Sequence, residues 1–338
     1  MTEPKAFKDG SRPAVSSRMI ARTTPEIFKR HPSNPILTVD DLDYRANSVF
    51  NPAAAIVNGE TVLLLRVEDR RGFSHFTAAR SADGITGWRI DPTPTLEPSP
   101  ETHPEEIWGI EDPRITYLEE QNRWVIAYTA FSRGGPLVSL AATSDFVNFE
   151  RLGPVMTPED KDAALFPERI QGRWALIHRP VPAGALSLGA HIWISFSPDL
   201  KHWGDHEILL RARQGGWWDA NKIGLSPPPL KTDEGWLILY HGVRSTAAGC
   251  LYRLGVALLD LEDPRRVIRR SNEWVFAPRE SYERAGDVSD VVFPCGWTLV
   301  DGEIRMYYGC ADTSVGLATA SLDDLLYWLK THDSPSPE

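Results

Sequence analysis

Residues 58–88 read NGETVLLLRVEDRRGFSHFTAARSADGITGW, and the order of features in that stretch returns along the chain. Asn58-Gly59 is a tight-turn signal, Thr61 to Val67 is a β-rich run, a charged loop follows, and a second strand ends in Ser-x-Asp-Gly before Trp88. Upstream, Asn51-Pro52-Ala53-Ala54-Ala55-Ile56-Val57 supplies the strand that enters the turn. Similar units are QNRWVIAYTAFSRGGPLVSLAATSDFVNF, QGRWALIHRPVPAGALSLGAHIWISFSPDLKHW, DEGWLILYHGVRSTAAGCLYRLGVALLDLEDP and DGEIRMYYGCADTSVGLATASLDDLLYW, with Gly59, Arg123, Gly172, Gly235 and Gly302 at the same turn position. Five copies of one antiparallel unit therefore make up most of the chain.

A sheet of about four short strands cannot cover both its faces alone, and radial stacking buries each copy against its neighbours. The expected fold is all-β, a five-bladed β-propeller. A sandwich is the competing architecture, but it gives no reason for a Ser/Asp turn and an aromatic residue to recur behind each strand pair. Residues 1–45 are polar and punctuated by proline, and are expected to form an extended arm that wraps the domain. Residues 46–330 form the propeller, and 331–338 a tail. Only Leu322 to Lys330 has a helical pattern, expected as a short terminal turn.

Composition excludes several classes of function. The chain of 338 residues has 36 basic and 46 acidic side chains, a net charge of −10, and no Lys/Arg block that would hold a nucleic acid or a membrane surface. No stretch approaches the roughly 20 apolar residues of a membrane span, and the opening segment lacks a signal-peptide core, so a cytoplasmic protein is expected. Cys250, Cys295 and Cys310 lack the spacing of a zinc site. No HExxH or carboxylate-rich loop suggests a metal, and no metal or cofactor is expected. Twelve Trp suit a protein that handles ligands with flat apolar faces, such as sugars.

The densest chemistry lies in Trp108-Gly109-Ile110-Glu111-Asp112-Pro113-Arg114. Alone, it reads as a turn with a surface Asp–Arg pair. In a propeller, however, inner strands converge on an axial funnel, where this run meets Asn51, Arg66, His178-Arg179, Lys222, Tyr240-His241, Asp290, Tyr308 and Asp312. Each of these has an ordinary structural role open to it; together they suit a doubly charged anion beside a polyhydroxylated ligand. Burial beside Trp108 and Ile110 is expected to raise the Asp112 pKa towards that of a proton donor.

NPAAAI, LLLRVEDRRGFS, GIEDPRIT, LFPERIQGRWALIHRP, WWDANKIGLSPPPL, GWLILYHGV, VVFPCGW and YYGCADTSVGLA resemble the successive motifs of glycoside hydrolase family 130, over about residues 30 to 325. The resemblance implies a five-bladed propeller and an inverting phosphorolysis, in which inorganic phosphate, a co-substrate, attacks a terminal β-mannoside to give α-mannose 1-phosphate. It implies Asp112 as general acid, Arg179, Lys222 and His241 as phosphate contacts with Lys161 beside them, and Asn51, Arg66 and Asp312 as contacts to the mannosyl unit or the phosphate. Tyr308 and Trp108 are expected to touch the substrate.

An inverting hydrolase needs a second carboxylate as base, whereas phosphate arrives anionic and needs only positive charge to hold it. The Arg179, Lys222 and His241 set favours phosphate over the two alternatives, a β-mannosidase using water and a non-catalytic glycan-binding propeller. Acceptor and linkage, β-1,4 or β-1,2, are set by loops such as Arg70 to His75, Arg133 to Pro136, Val181 to Ala190 and Arg244 to Gly249. Loop shape cannot be read from the letters, and the same loops offer surfaces for a homo-oligomer.

Overall fold

The continuous apolar run Val62-Leu63-Leu64-Leu65 belongs to a strand with apolar neighbours on both faces, since alternate side chains point opposite ways. In the computed structural model, which describes residues 26–181, 189–247 and 249–332, Val62 and Leu64 pack towards the second blade while Leu63 and Leu65 pack towards the fifth. The sheets are antiparallel and follow in chain order from the axis outwards. The first blade comprises Ser48–Val57, Glu60–Glu68, Ser74–Ser81 and Arg89–Ile90. The second comprises Ile110–Leu118, Arg123–Ser132, Gly135–Thr143 and Glu150–Pro154, and the third Asp160–Leu165, Trp174–Pro180, Ile192–Ser197 and Gly204–Leu210. The fourth comprises Lys222–Leu225, Gly235–Thr246, Gly249–Leu259 and Val267–Arg270, with Leu230–Thr232 as a side strand. Val292–Val300, Glu303–Cys310 and Ser314–Ser321 begin the fifth.

One apolar core lies between each adjacent pair of blades, which closes the ring. Closure also uses the start of the described chain. Lys29–Arg30 pairs antiparallel with Ala318 and Thr319 as the outermost strand of the fifth blade. Arg30 then donates from Nε and Nη2 to both carboxylate oxygens of Glu283, at 2.8 and 2.9 Å. The expected boundary at residue 46 therefore does not separate an arm from the propeller; residues 1–25 and 333–338, and most of the Val181 to Ala190 loop, lie outside the described residues.

The recurring Ser/Asp turn has a common cause. Asp83 Oδ1 accepts from the Ile85 and Thr86 amides, Asp145 Oδ1 from Val147 and Asn148, and Asp199 Oδ1 from Lys201 and His202, so each carboxylate replaces a backbone acceptor where the chain reverses. In the last unit Ser321 Oγ accepts from the Asp324 amide and starts the helix Leu322–Thr331 instead. That helix buries Leu325, Leu326, Trp328 and Leu329 against the core between the fourth and fifth blades. A single helical turn, Ser281–Arg284, was not legible in the sequence.

Candidate active site

Three inner strands carry the same irregularity. The register with the second strand shifts between Phe50 and Ala53, between Glu111 and Arg114, and between Lys161 and Ala164. At these bulges Asn51, Asp112 and Asp162 adopt left-handed φ values of 45°, 51° and 57°, a region that Asn and Asp tolerate better than most residues. Each bulge turns its polar side chain towards the axis, where a regular strand would alternate it away.

The first cluster joins blades one and two. Asp112 Oδ1 accepts from Asn51 Nδ2 and Arg66 Nη1, each at 2.9 Å. Arg66 also donates from Nε to Ser74 Oγ at 2.9 Å, pairs with Glu111 at 3.1 Å, and lies over the Phe50 ring. Asn51 Oδ1 is buried without a hydrogen-bond partner among the described residues. Burial pushes the Asp112 carboxyl up, but Arg66 and Arg114, with the hydrogen bonds from Asn51 and Arg66, overcome it and hold the group below its ordinary range. This corrects the expectation of an Asp112 kept protonated by burial. The raised carboxyl is Asp312, pushed to about 7 by burial and by its carboxylate neighbours Asp112, Glu68 and Glu111, against the pull of Arg66.

The second cluster joins blades two, three and four. Asp162 Oδ2 accepts from Arg179 Nε and Nη2 at 2.8 and 2.7 Å. Arg114 reaches Asp162 Oδ1 at 3.4 Å and donates to the carbonyls of Leu225 and Ser226, fastening the second blade to the fourth. His241 Nε2 lies 3.4 Å from Asp162 Oδ2. Burial lowers the His241 pKa against the pull of Asp162, so the ring is neutral near pH 7. Asp162 is buried too, yet Arg179, His241 and Arg114 hold its carboxyl well below the ordinary range. The approach of Asp162 and His241 requires Gly224, because a Cβ there would lie 2.2 Å from Asp162 Oδ2 and 2.6 Å from His241 Cε1.

Lys222 opens the inner strand of blade four with Nζ 5.9 Å from the centre of the Tyr252 ring. Its pKa is lowered by burial and then by Arg179 and Lys161 against Asp162, so the ammonium sits among like charges. Neither Lys222 nor Lys161 makes a salt bridge to a carboxylate among the described residues. Lys161 lines a cavity of about 400 Å³ with Trp108, Glu111 and Arg133. Trp108 packs edge-on against Phe131 beside it.

The sequence overlooked Asp162 and misjudged other residues. The signal was the Asp of KDA, standing in its inner strand where Asn51 and Asp112 stand in theirs. Tyr308 does not reach the funnel; it is fully buried, packs on Phe276 and donates to Glu283 Oε1 at 2.8 Å, which corrects its assignment as a substrate contact. Strand alternation separates Arg179 from His178, which lies between Asp160 and Ser195, and His241 from Tyr240, which binds Asp219 and Arg270. Asp290 forms an exposed pair with Arg284.

A sequence profile described as β-1,4-mannooligosaccharide phosphorylase, that of glycoside hydrolase family 130, matches residues 26–331. The chain belongs to family 130. The family 130 chain is 36% identical to a β-1,4-mannooligosaccharide phosphorylase of Ruminococcus albus over 91% of its own length and 92% of that protein's. It is also 36% identical to a 1,2-β-oligomannan phosphorylase of Thermoanaerobacter over 89% of its length and 99% of the other's. Among solved structures it resembles a β-1,2-mannobiose phosphorylase from Listeria innocua in complex with β-1,2-mannobiose, with a TM-score of 0.80, 31% identity, and coverage of 90% of this chain and 99% of that one. Among the described residues of the family 130 chain, no helix is long and apolar enough to cross a membrane.

Proposed function

We propose that this chain is a β-mannoside phosphorylase that transfers a terminal mannosyl unit to inorganic phosphate with inversion, giving α-mannose 1-phosphate and a shortened acceptor. The observation that carries the reading is the division of the axis into two clusters. Asp112, held by Asn51 and Arg66, stands in one, and Arg179, Lys222 and His241 stand in the other, with Lys161 nearby. Arg179 and Arg114 already balance Asp162, which leaves the Lys222 and Lys161 charges for an incoming anion.

In this reading a phosphate oxygen held by Arg179 and Lys222 attacks the anomeric carbon from the face opposite the glycosidic oxygen. The C–O bond to the acceptor breaks, its electron pair stays on the acceptor oxygen, and a proton originating at Asp112 neutralises that oxygen, directly or through a sugar hydroxyl. Asn51, Arg66 and Asp312 hold the mannosyl hydroxyls, and the buried Asn51 Oδ1 gains a donor when one of them binds. Trp108 lies on the acceptor side, where the adjoining cavity accepts the leaving sugar.

Asp112 is ionised in the free protein at neutral pH, so it must gain a proton before it can act. A phosphate anion arriving on the basic cluster opposes the field of Arg114 and Arg179 and raises the Asp112 pKa, coupling proton gain to co-substrate binding. No cofactor enters this chemistry. A hydrolytic reading would need a carboxylate free to activate water, and Asp312, which has no ion pair among the described residues and is poised near 7, is the group it would use. Incubation of a β-mannobiose with and without phosphate decides between them. Mannose 1-phosphate formed only with phosphate supports phosphorolysis; free mannose released at equal rates in both overturns it.

A further inference from the structure

A second cavity, of about 890 Å³, opens on the outer part of the fourth blade, and none of the axial residues lines it. Its walls carry two exposed indole rings, Trp217 and Trp274, with Gln214, Glu273, Glu26 and Arg279 around them. Trp217 belongs to the loop that runs into the inner strand at Lys222, and Trp274 to the segment that leaves the blade's last strand. These two pieces are fastened together. Trp218 Nε1 donates to the Asn272 carbonyl at 2.9 Å, and Arg213 Nη2 donates to the Ser271 carbonyl and Asn272 Oδ1 at 3.1 and 3.2 Å.

Each exposed indole is clamped on one face by a guanidinium. Arg213 lies 4.3 Å from the Trp217 ring centre and Arg253 lies 5.3 Å from that of Trp274. A cation over the ring fixes its orientation, so little side-chain freedom is lost when the opposite face receives a ligand. The volume is that of a small-molecule site rather than of a flat protein contact. Fixed aromatic faces bordered by carboxylates, an amide and a guanidinium match one chemistry in particular. Pyranose rings present apolar C–H faces for stacking and hydroxyls at the edge that both donate and accept.

We infer that this cavity is a second oligosaccharide-binding site, separate from the axial one, which holds a distal part of a chain or a second chain. The inference rests on the reading of the substrate as a manno-oligosaccharide. Because the Trp217 loop continues into Lys222, the site lies within one loop of the basic cluster, and occupancy raises the local concentration of chains near the axis.

The test uses the full-length Asp112→Asn protein, which does not consume the sugar, titrated calorimetrically with β-1,4- and β-1,2-mannotetraose without phosphate. Two binding events are expected with at least one of these chains, one of which disappears when Trp217→Ala or Trp274→Ala is added. In the otherwise wild-type enzyme, Trp274→Ala should leave kcat and KM for mannobiose unchanged and raise KM for the tetraose about tenfold, the factor given by ~1.4 kcal/mol of lost stacking. A single event indifferent to both substitutions overturns the inference. So does a change of oligomeric state in Trp217→Ala, which would assign the face to another copy of the chain, or a second event gained only after residues 2–25 are deleted. Tryptophan-dependent binding in a wild-type protein that forms no mannose 1-phosphate would sink the axial reading while leaving the cavity assignment standing.

Discussion

Arg66 Nη1 donates to Asp112 Oδ1 at 2.9 Å, and this contact across two blades, together with the charge of Arg114 and the hydrogen bond from Asn51, outweighs what burial alone would do to the carboxyl. Removing the guanidinium in Arg66→Met takes away the nearest positive charge and raises the Asp112 pKa. The proton donor is then present at higher pH, so the alkaline limb of the kcat/KM profile should move up, while the maximum falls through lost positioning. A pH–rate series on mannobiose with saturating phosphate checks both. An unmoved alkaline limb would mean that Arg66 does not control the acid.

Asp112→Asn should lower kcat on an unactivated mannoside by about 10²–10⁴, the range for loss of a general acid. An aryl mannoside with a good leaving group needs little protonation and should retain most of its rate. Phosphate affinity, measured by protection against thermal unfolding, should be kept or strengthened, because the neutral amide no longer opposes the incoming anion. Equal loss on both substrates would remove Asp112 from the acid role.

The five blades and the last helix were legible because each unit repeats a strand–turn–strand pattern closed by a Ser/Asp turn, and Ser321 is simply the turn residue that starts a helix. Lys29–Arg30 was not, since two residues carry no periodicity and their place is fixed by pairing with Ala318 and Thr319. The axial residues Asn51, Arg66, Asp112, Arg179 and His241 were found from their motifs, but the charges they meet depend on which side chains face one another across blades. Asp112 therefore appeared to be the raised carboxyl when Asp312 is. Tyr308 was misplaced for the same reason: its letter sits beside the axial motif, but its hydroxyl turns to Glu283.

Asp162 is the structural anion of the site. Its carboxyl is held below its unfolded pKa, so its contribution to stability is fully present above about pH 4 and is lost as pH falls through the lower, folded value. Asp162→Asn leaves Arg114 and Arg179 buried without their shared counter-charge, and should destabilise the fold at pH 7 by about 3–5 kcal/mol. Urea unfolding at pH 7 measures the loss. The difference from wild type should shrink as pH is lowered towards the region where Asp162 itself becomes protonated.

Asp312 titrates in the opposite sense. Its folded pKa of about 7 exceeds the unfolded value, so the folded state holds the proton more tightly and stability declines as pH rises from about 4 through 7. Asp312→Asn removes that penalty, and its melting temperature should exceed that of wild type at pH 8 and approach it at pH 5. Mannoside affinity should fall in the same variant, which separates the electrostatic effect from its contact with sugar. A melting difference independent of pH would contradict the assigned ionisation.

Lys222 and Gly224 test the phosphate cluster by different routes. Lys222→Met deletes a charge-assisted contact worth about 1.5–3 kcal/mol, which should raise KM for phosphate roughly 10- to 150-fold with little change in mannobiose binding to the phosphate-free protein. Gly224→Ala adds no charge and removes none, but its Cβ would overlap Asp162 Oδ2 and His241 Cε1 and displace the pair that orients Arg179. It should therefore weaken phosphate and also destabilise the fold, whereas Lys222→Met should leave stability near wild type because it breaks no salt bridge. Steady-state kinetics in phosphate and urea unfolding, run side by side, distinguish the two patterns. If Lys222→Met left KM for phosphate unchanged while Gly224→Ala raised it, the anion would be held by Arg179 of the third blade and His241 of the fourth without the lysine.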